Sequence, residues 1–293
     1  MNLDFLIVGA MKAGSTSFYN SLTQDPDIFM PRNKEPMILS DPRYSPEWAS
    51  DMYMRYMRKG KGNQIFGEAS TTYSQAPLLP RVPERAYELF GADLKIIYLV
   101  RDPIERILSH IRHDVGAGKE RDVACAISRS LQHYIDVSRY HYQISLWKKC
   151  FSEENIKVVG FEKYAQDNVR STCEVLDFLK GGAWQAEPTK VFREKIHNKS
   201  EDRRVAKGVV RIFHESVLYQ AMVKPIIPST VRHMIKVSLT SKSKVTTRSE
   251  VMSLLGRENL SAVEEDARLF KKHTPKTIWE GWSTFDEYFS NEG

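Results

Sequence analysis

The chain has 293 residues, enough for one large domain with a sizeable hydrophobic core. Hydrophobic residues make up 41% of it and charged residues 27%, an ordinary globular composition that argues against a disordered or fibrous protein. The net charge of +6 suits an anionic partner: a phosphorylated nucleotide, an acidic glycan, an anionic membrane surface or a nucleic acid. Charge alone does not choose among these.

The three cysteines, Cys125, Cys150 and Cys173, lie far apart in the sequence. Their odd number and wide spacing argue against a disulfide framework and a zinc site, and favour a reducing compartment. No apolar run is long enough to cross a membrane, and the start of the chain lacks the basic segment of a signal peptide. We therefore expect a complete cytoplasmic protein without an anchor.

The chain opens with a short apolar run that ends at Gly9 and is followed by a loop of small residues around Lys12. A helical pattern begins after the loop, with Phe18 and Leu22 on one face. In a strand, small-residue loop and helix start of this kind, backbone N–H groups and the helix dipole both favour a bound anion.

The loop resembles a Walker phosphate loop only in part. Gly9 and Gly14 have the Walker spacing and Thr16 stands at the Ser/Thr position, but Ser15 occupies the lysine position and Lys12 lies inside the loop. Kinases and ATPases use the Walker lysine on the β- and γ-phosphates, so this loop fits a nucleotide with one 5′ anionic arm better. The alternative is a tight strand–helix turn with a solvated lysine.

A second strand–turn–helix segment spans residues 95–110. Residues 95–100 are almost all apolar, as expected of a strand buried on both faces, and Pro103 suits the first turn of a helix. Arg101 stands at the carboxyl end of this strand, where open α/β sheets bind ligands, and Ser109 lies eight residues on. A guanidinium and a hydroxyl that converge there would hold a second phosphate.

Together the two segments resemble the PAPS-dependent sulfotransferases, closest in pattern to the carbohydrate (heparan-type) and bacterial enzymes. PAPS is 3′-phosphoadenosine 5′-phosphosulfate. The resemblance runs from residue 3 to about residue 200 and implies an α/β fold of the P-loop type, with a central parallel sheet between layers of helices. The implied donor-binding residues are Lys12, Ala13, Gly14, Ser15, Thr16 and Ser17 at the 5′-phosphosulfate, and Arg101 and Ser109 at the 3′-phosphate.

The proline-rich connection over residues 24–45 contains the candidate catalytic base. Residues 34–39 resemble the segment in which heparan-type enzymes carry their catalytic glutamate, which makes Glu35 the candidate here. An acceptor hydroxyl must lose its proton as it attacks sulfur, and a nearby carboxylate can take it. The alternative is a solvated glutamate paired with Lys34.

Glu68 is the second candidate for the base. It lies in a predicted strand and loop over residues 65–73 that resembles the family's segment beside the acceptor. Heparan-type enzymes have a lysine after this glutamate, whereas this chain has Ala69, so a second active-site lysine is absent or comes from elsewhere. We favour a structural role for Glu68, as a cap on the loop or as a partner of Arg101.

Further elements are predicted from periodicity and from turn residues. An aromatic tail containing Trp282 and Phe285 is expected to pack back on the core. His110 and His113 lie three residues apart on a predicted helix, but no third ligand is evident and we expect no metal site. Helices are predicted over 46–59, 77–91, 104–115, 138–151, 169–179 and 258–272, and a second buried strand over 156–162.

The last third of the chain is the least informative. Lys199, Arg203 and Arg204 are candidates for a basic loop that folds over PAPS, or else for the solvated start of a basic helix. Residues 205–250 are expected to form a helical lid or insertion within a single domain over 1–293. A dimer contact or a peripheral membrane contact is the alternative for this segment.

The sequence thus predicts a transfer of the sulfuryl group from PAPS to an acceptor hydroxyl, on a carbohydrate or glycolipid, which leaves PAP. Lys12 would neutralise the leaving oxygen and Glu35 would accept the proton, with no metal required. The alternatives are a P-loop kinase of a small molecule and a non-catalytic basic module that binds acidic glycan or RNA. The chain shows no nucleic-acid-binding signature, and the oligomeric state is open.

Overall fold

The computed structural model describes residues 3–182, 204–206, 240–242 and 248–290. The chain divides into two compact units. The first comprises Met1–Ile107, Leu131–His197 and Gly256–Gly293, and the second comprises Leu108–Ser130 and Asn198–Leu255. This division describes only how residues group by their contacts within the chain. That residues 1–293 form a single domain stays a prediction.

Within residues 3–182, five parallel strands form the central sheet of the first unit, in the order β2–β3–β1–β4–β5. Helices flank this sheet, which confirms the predicted α/β fold of the P-loop type. β1 and β4 are apolar and almost entirely buried, as their sequences predicted. The strands are β1 (Phe5–Gly9), β2 (Ile28–Phe29), β3 (Ile65–Ala69), β4 (Lys95–Val100) and β5 (Ile156–Gly160).

Most predicted helices are present within a few residues of their expected bounds. No helix in the described ranges is long and apolar enough to cross a membrane. The helices are α1 (Ser15–Leu22), α2 (Pro46–Met57), α3 (Val82–Phe90), α4 (Pro103–Gly116), α5 (Val123–Ser138), α6 (Tyr140–Lys148), α7 (Phe161–Gln166), α8 (Asn168–Leu179), α9 (Arg248–Leu255), α10 (Ser261–His273) and α11 (Ser283–Ser290).

Some bounds differ from the sequence prediction. Helix α3 begins at Val82 rather than at residue 77, because Pro83 takes the first-turn position that suits proline. β5 ends at Gly160, and Phe161 opens helix α7 instead of continuing the strand. Strand β2 and helix α5 were not predicted.

The predicted helical insertion is described only in small part. Two short strands of the second unit, β6 (Arg204–Ala206) and β7 (Thr240–Lys242), pair antiparallel. The helical lid or insertion over 205–250 stays a prediction. Most of residues 205–250 lies outside the described residues.

The aromatic tail packs on the core, as predicted. Trp282 is fully buried and stacks on Phe270, with ring centroids 5.5 Å apart. The tail is held to the turn after β4 by the backbone N–H of Phe285, which donates to Asp102 Oδ2 at 2.8 Å. Asp102 Oδ1 accepts the N–H groups of Ile104 and Glu105 at the start of α4. The buried carboxylate of Asp102 therefore contacts both the start of α4 and the tail.

Replacing Asp102 by alanine is expected to lower the free energy of unfolding by about 3 kcal/mol. The variant loses hydrogen bonds to a charged acceptor and leaves the N–H of Phe285 without a partner in the core. Urea titrations followed by circular dichroism measure the difference. Asp51→Ala is the control: its ion pair with Arg55 is solvent-exposed, so a change below about 0.5 kcal/mol is expected. Similar losses in the two variants would contradict the assignment.

Candidate active site

The candidate site lies at the carboxyl edge of the sheet. Strand β1 pairs with β3 on one side and with β4 on the other, and the chain visits β2 and β3 before it crosses to β4. A strand order that diverges in this way leaves a crevice at the carboxyl ends of the central strands, where open α/β sheets bind ligands. The loop after β1 and the turn after β4 both end there.

The loop between β1 and α1 (residues 10–14, here the phosphate loop) is held by its own backbone. Ala10 N–H donates to Leu99 O on β4 at 2.6 Å, and Ala13 N–H donates to Ala10 O at 3.1 Å. Lys12 has φ 71° and Gly14 has φ 83°, so the loop turns sharply twice. Within the described residues no side chain caps the start of α1. The helix start is thus open to an anion.

Arg101 lies against this loop. Its Nη1 donates to Lys12 O at 3.5 Å, and its Nη2 pairs with Glu105 Oε2 at 3.4 Å. The guanidinium also lies over the ring of Phe161, 5.0 Å from the ring centroid. A Cβ on Gly14 would lie 2.5 Å from that same ring, so glycine is required there both by space and by its positive φ. The loop and Arg101 share Phe161 as a wall.

Arg106 supports the loop from the core and was not singled out in the sequence. It is fully buried; its Nη1 donates to Met11 O at 3.4 Å, its Nε to Ser138 Oγ at 2.6 Å and its Nη2 to Tyr134 O at 2.8 Å. Burial lowers its pKa to about 10, so it stays charged at neutral pH. The sequence did contain a signal for this role, because Arg106 lies among the apolar residues of α4 that face the core.

The structure brings Lys34 and Glu35 to the other side of the loop. Lys34 Nζ donates to Ser15 Oγ at 3.2 Å, to Thr16 Oγ1 at 3.4 Å and to Glu35 Oε1 at 2.8 Å. The ion pair of the alternative interpretation is therefore present. It is not simply solvated, because the side chains are only 15% and 27% exposed.

Glu35 is fixed by groups from the end of β3 and the turn that follows it. Its backbone N–H donates to Ala69 O at 2.9 Å, and its Oε2 accepts from Thr71 Oγ1 at 3.2 Å. Glu35 has φ 64°, and the N–H of Met37 donates to Ser70 Oγ at 3.0 Å. The carboxylate is therefore positioned rather than free in a loop.

Glu68 lies beneath this segment and is 1% exposed. It accepts hydrogen bonds from the hydroxyls of Tyr53, Ser70 and Tyr73, the last at 3.0 Å. Burial raises the pKa of the Glu68 carboxyl from 4.5 to about 7, against the lowering effect of these hydroxyls. Arg101 pairs with Glu105 instead of Glu68.

The other predicted residues lie as follows. In the phosphate loop and the start of α1, Ala13, Ser15 and Ser17 are buried and Thr16 is exposed. Ser109 is half-buried on α4. Lys199 and Arg203 lie outside the described residues, and Arg204 begins β6. In the described part of the chain, no group of three or more His, Cys, Asp or Glu side chains is placed to hold a metal ion.

A separate cavity of about 360 Å³ lies along the outer edge of β5, with His141, Lys157, Glu174 and His273 among its lining residues. None of the described residues of the candidate site lines it. It is therefore not the site that the sequence predicted.

The sequence matches the sulfotransferase domain family over residues 2–207, and the chain belongs to that family. Among solved structures, a sulfotransferase from Alicyclobacillus acidocaldarius is 27% identical with a TM-score of 0.55, over 68% of this chain and 86% of that one. A sulfotransferase domain from the curacin biosynthetic pathway is 14% identical with a TM-score of 0.49, over 99% and 98%. Mouse sulfotransferase SULT7A1 complexed with PAP is 13% identical with a TM-score of 0.45, over 98% and 88%. A search of proteins of curated function found no match.

Replacing Gly14 by alanine is expected to lower the free energy of unfolding by about 3 kcal/mol, because strain at positive φ adds to the clash with Phe161. Gly181→Ala is the control. Gly181 has φ 65°, but nothing lies within 4 Å of the added Cβ, so a loss of only about 1 kcal/mol is expected. Urea unfolding measures both variants. Equal losses would show that Phe161 does not confine the loop.

Glu68 is expected to make the protein less stable as the pH rises from about 5 to 8. The folded-state pKa of about 7 lies above the unfolded value of 4.5, so the folded state binds the extra proton in this range. Its stabilising contribution is complete below pH 4.5 and is lost as the pH rises through 7. Urea unfolding at a series of pH values should give a shallower decline for Glu68→Gln than for wild type. Parallel pH profiles would contradict the raised pKa.

Proposed function

We propose that this sulfotransferase takes the sulfuryl group from PAPS and transfers it to an acceptor hydroxyl, with Lys12 and Glu35 as catalytic groups. One observation carries the proposal: the phosphate loop, Arg101 and the Lys34–Glu35 pair converge at the same edge of the sheet. PAPS supplies the sulfuryl group when bound, and PAP is what it leaves behind.

The donor's 5′ anionic arm fits the phosphate loop. The start of α1 is uncapped within the described residues, and Gly14 leaves room where a Cβ would meet Phe161. Backbone N–H groups of the loop and the hydroxyls of Ser15 and Thr16 would hold the phosphate, and Lys12 would neutralise charge on the leaving oxygen. These donors supply the positive field that a metal ion supplies elsewhere.

Arg101 is proposed to bind the donor's 3′-phosphate. It stands at the carboxyl end of β4 and already contacts the loop through Lys12 O. A guanidinium suits a phosphate because it donates two parallel hydrogen bonds. ATP has no 3′-phosphate, so this contact would select PAPS over ATP. The pairing of Arg101 with Ser109 rests on their spacing in the sequence.

Glu35 is proposed to accept the acceptor's proton as the hydroxyl oxygen attacks sulfur. The new S–O bond forms in line with the one that breaks, and the electron pair of the broken bond leaves on the 5′-phosphate oxygen. The contacts with Thr71 and Ala69 would hold the carboxylate in place. Glu68 is the less suitable base because it is buried and already accepts three hydroxyl hydrogen bonds.

The acceptor class is proposed from the sequence around Glu35, which resembles that of the carbohydrate enzymes. A sugar hydroxyl on a glycan or glycolipid is therefore the first acceptor to test. A phenol or another small alcohol is the second.

Titration calorimetry with PAP, without added metal, tests the donor site. Wild type is expected to bind PAP, and Arg101→Ala is expected to bind it about 30-fold more weakly, since a hydrogen bond between charged groups contributes about 2 kcal/mol. Arg55→Ala, which removes an exposed arginine on α2, is the matched control and should bind PAP as wild type does.

Two results would contradict the proposal. Binding of Mg-ATP that equals PAP binding and is insensitive to Arg101→Ala would favour a kinase. Binding of polyanions with a steep salt dependence, without selectivity for PAP, would favour a non-catalytic basic module. If PAP binds as expected, radiolabelled PAPS and a panel of glycan, glycolipid and phenol acceptors would identify the acceptor.

A further inference from the structure

The ammonium of Lys34 lies between the phosphate loop and the proposed base. It has three hydrogen-bond acceptors within reach: Ser15 Oγ at 3.2 Å, Thr16 Oγ1 at 3.4 Å and Glu35 Oε1 at 2.8 Å. An ammonium carries three N–H donors, so these acceptors use its full capacity. An anion that binds the ammonium of Lys34 must therefore replace at least one of these three acceptors.

The surroundings hold Lys34 in this position. Its side chain is only 15% exposed, and Ser15 is 7% exposed, so the contact is shielded from bulk water. Electrostatic interactions are stronger in such surroundings than between fully solvated groups. A lysine that served solubility alone would extend into solvent instead.

The position of Glu35 is not held by Lys34 alone. Its second carboxylate oxygen accepts from Thr71 Oγ1, and its backbone N–H donates to Ala69 O. These contacts come from β3 and the turn after it, not from the phosphate loop. Glu35 can therefore keep its place when the ammonium shifts toward an anion.

We infer that Lys34 is a second catalytic lysine, which binds the transferred sulfuryl group and releases Glu35 from its ion pair when the donor enters. The inference rests on the proposed function, since it needs a sulfated donor in the phosphate loop. Lys12 and Lys34 would then contact different parts of the reacting group: Lys12 the leaving oxygen, and Lys34 the oxygens on sulfur.

The arrangement couples donor binding to the activity of the base. Without donor, Glu35 Oε1 accepts a hydrogen bond from Lys34 Nζ at 2.8 Å, so this oxygen is occupied and not open to the acceptor hydroxyl. With donor present, sulfuryl oxygens compete for the ammonium and Glu35 is free to take the acceptor's proton. The donor must therefore bind before the acceptor hydroxyl can be deprotonated, so the two substrates act in a fixed order.

Calorimetry with PAP and with PAPS tests this role without a known acceptor. PAP lacks the sulfuryl group, so Lys34→Met should weaken PAP binding by less than about 3-fold and PAPS binding by at least about 10-fold. Lys34→Arg keeps the charge and should recover most of the preference for PAPS. Lys61→Met, which removes an exposed lysine on the turn after α2, is the control and should leave both affinities unchanged.

Slow hydrolysis of PAPS provides the kinetic measurement, with water as acceptor and with PAP and sulfate as products. Lys34→Met should lower this rate about 100-fold, the effect of removing one donor to a developing negative charge. Thermal melting of each variant verifies that it is folded. Should Lys34→Met fail to fold, Lys34→Gln takes its place: it also removes the charge, and the same loss of PAPS affinity relative to PAP affinity is expected.

Equal losses of PAP and PAPS affinity in Lys34→Met would overturn the inference, since they would place the lysine on the phosphate alone. Unchanged affinities and rate would also overturn it and leave Lys34 as a clamp on Glu35. Failure of the proposed function gives a different result, because wild type itself would then not bind PAP.

Discussion

A fully buried guanidinium, that of Arg106, joins the phosphate loop to the helices behind it. A charge without solvent is costly unless hydrogen bonds compensate it, and Ser138, Tyr134 O and Met11 O do so here. The loop that begins at Ala10 is thereby tied to the core on one side and to Leu99 of β4 on the other. Both of these hydrogen bonds are made by backbone atoms of the loop, so they hold its shape largely independently of its side chains.

The buried carboxylates also stabilise the structure around the site, by accepting hydrogen bonds from backbone N–H groups and hydroxyls. Asp102 accepts backbone N–H groups from α4 and from the tail, and Asp266 accepts those of His141 and Tyr142 at the start of α6. Glu68 accepts three hydroxyls below the segment that carries Glu35. Burial raises the pKa of each of these carboxyls because it disfavours their charged form. The three carboxyls that are most costly to ionise thus hold the structure around the site together. Glu35 and Glu105 each bring a carboxylate to the partly exposed cationic groups of the site, Lys34 and Arg101.

The sequence was sufficient for the parts of the fold that depend on local patterns. The apolar runs of β1 and β4, the small-residue loop and Pro103 each predict their element directly, and the sheet edge follows because parallel strands align their carboxyl ends. What it could not predict depends on contacts between distant residues. Lys34 contacts Ser15, which lies 19 residues away in the sequence, and Tyr53 contacts Glu68, which lies 15 residues away. No periodic pattern in the sequence predicts either contact. Helix α5 was not predicted although residues 123–138 carry an amphipathic pattern, and β2 was not predicted because two residues are too few to form a pattern.

Charge balance at the edge of the sheet connects these observations. Two cationic side chains, Lys34 and Arg101, meet two carboxylates there, Glu35 and Glu105. Lys34 and Arg101 are each paired with one of these carboxylates, so two of the strongest anion-binding groups are neutralised when no ligand is present. A doubly phosphorylated, sulfated donor would displace both carboxylates at once. In the proposed reaction Glu35 would then serve as the base, whereas Glu105 also accepts a hydrogen bond from Thr284 Oγ1 at 3.2 Å and would stay at the start of α4. Both ion pairs lie beside the phosphate loop, but in the proposed reaction only the Lys34–Glu35 pair contains the group that accepts a proton, so only its opening would contribute directly to catalysis.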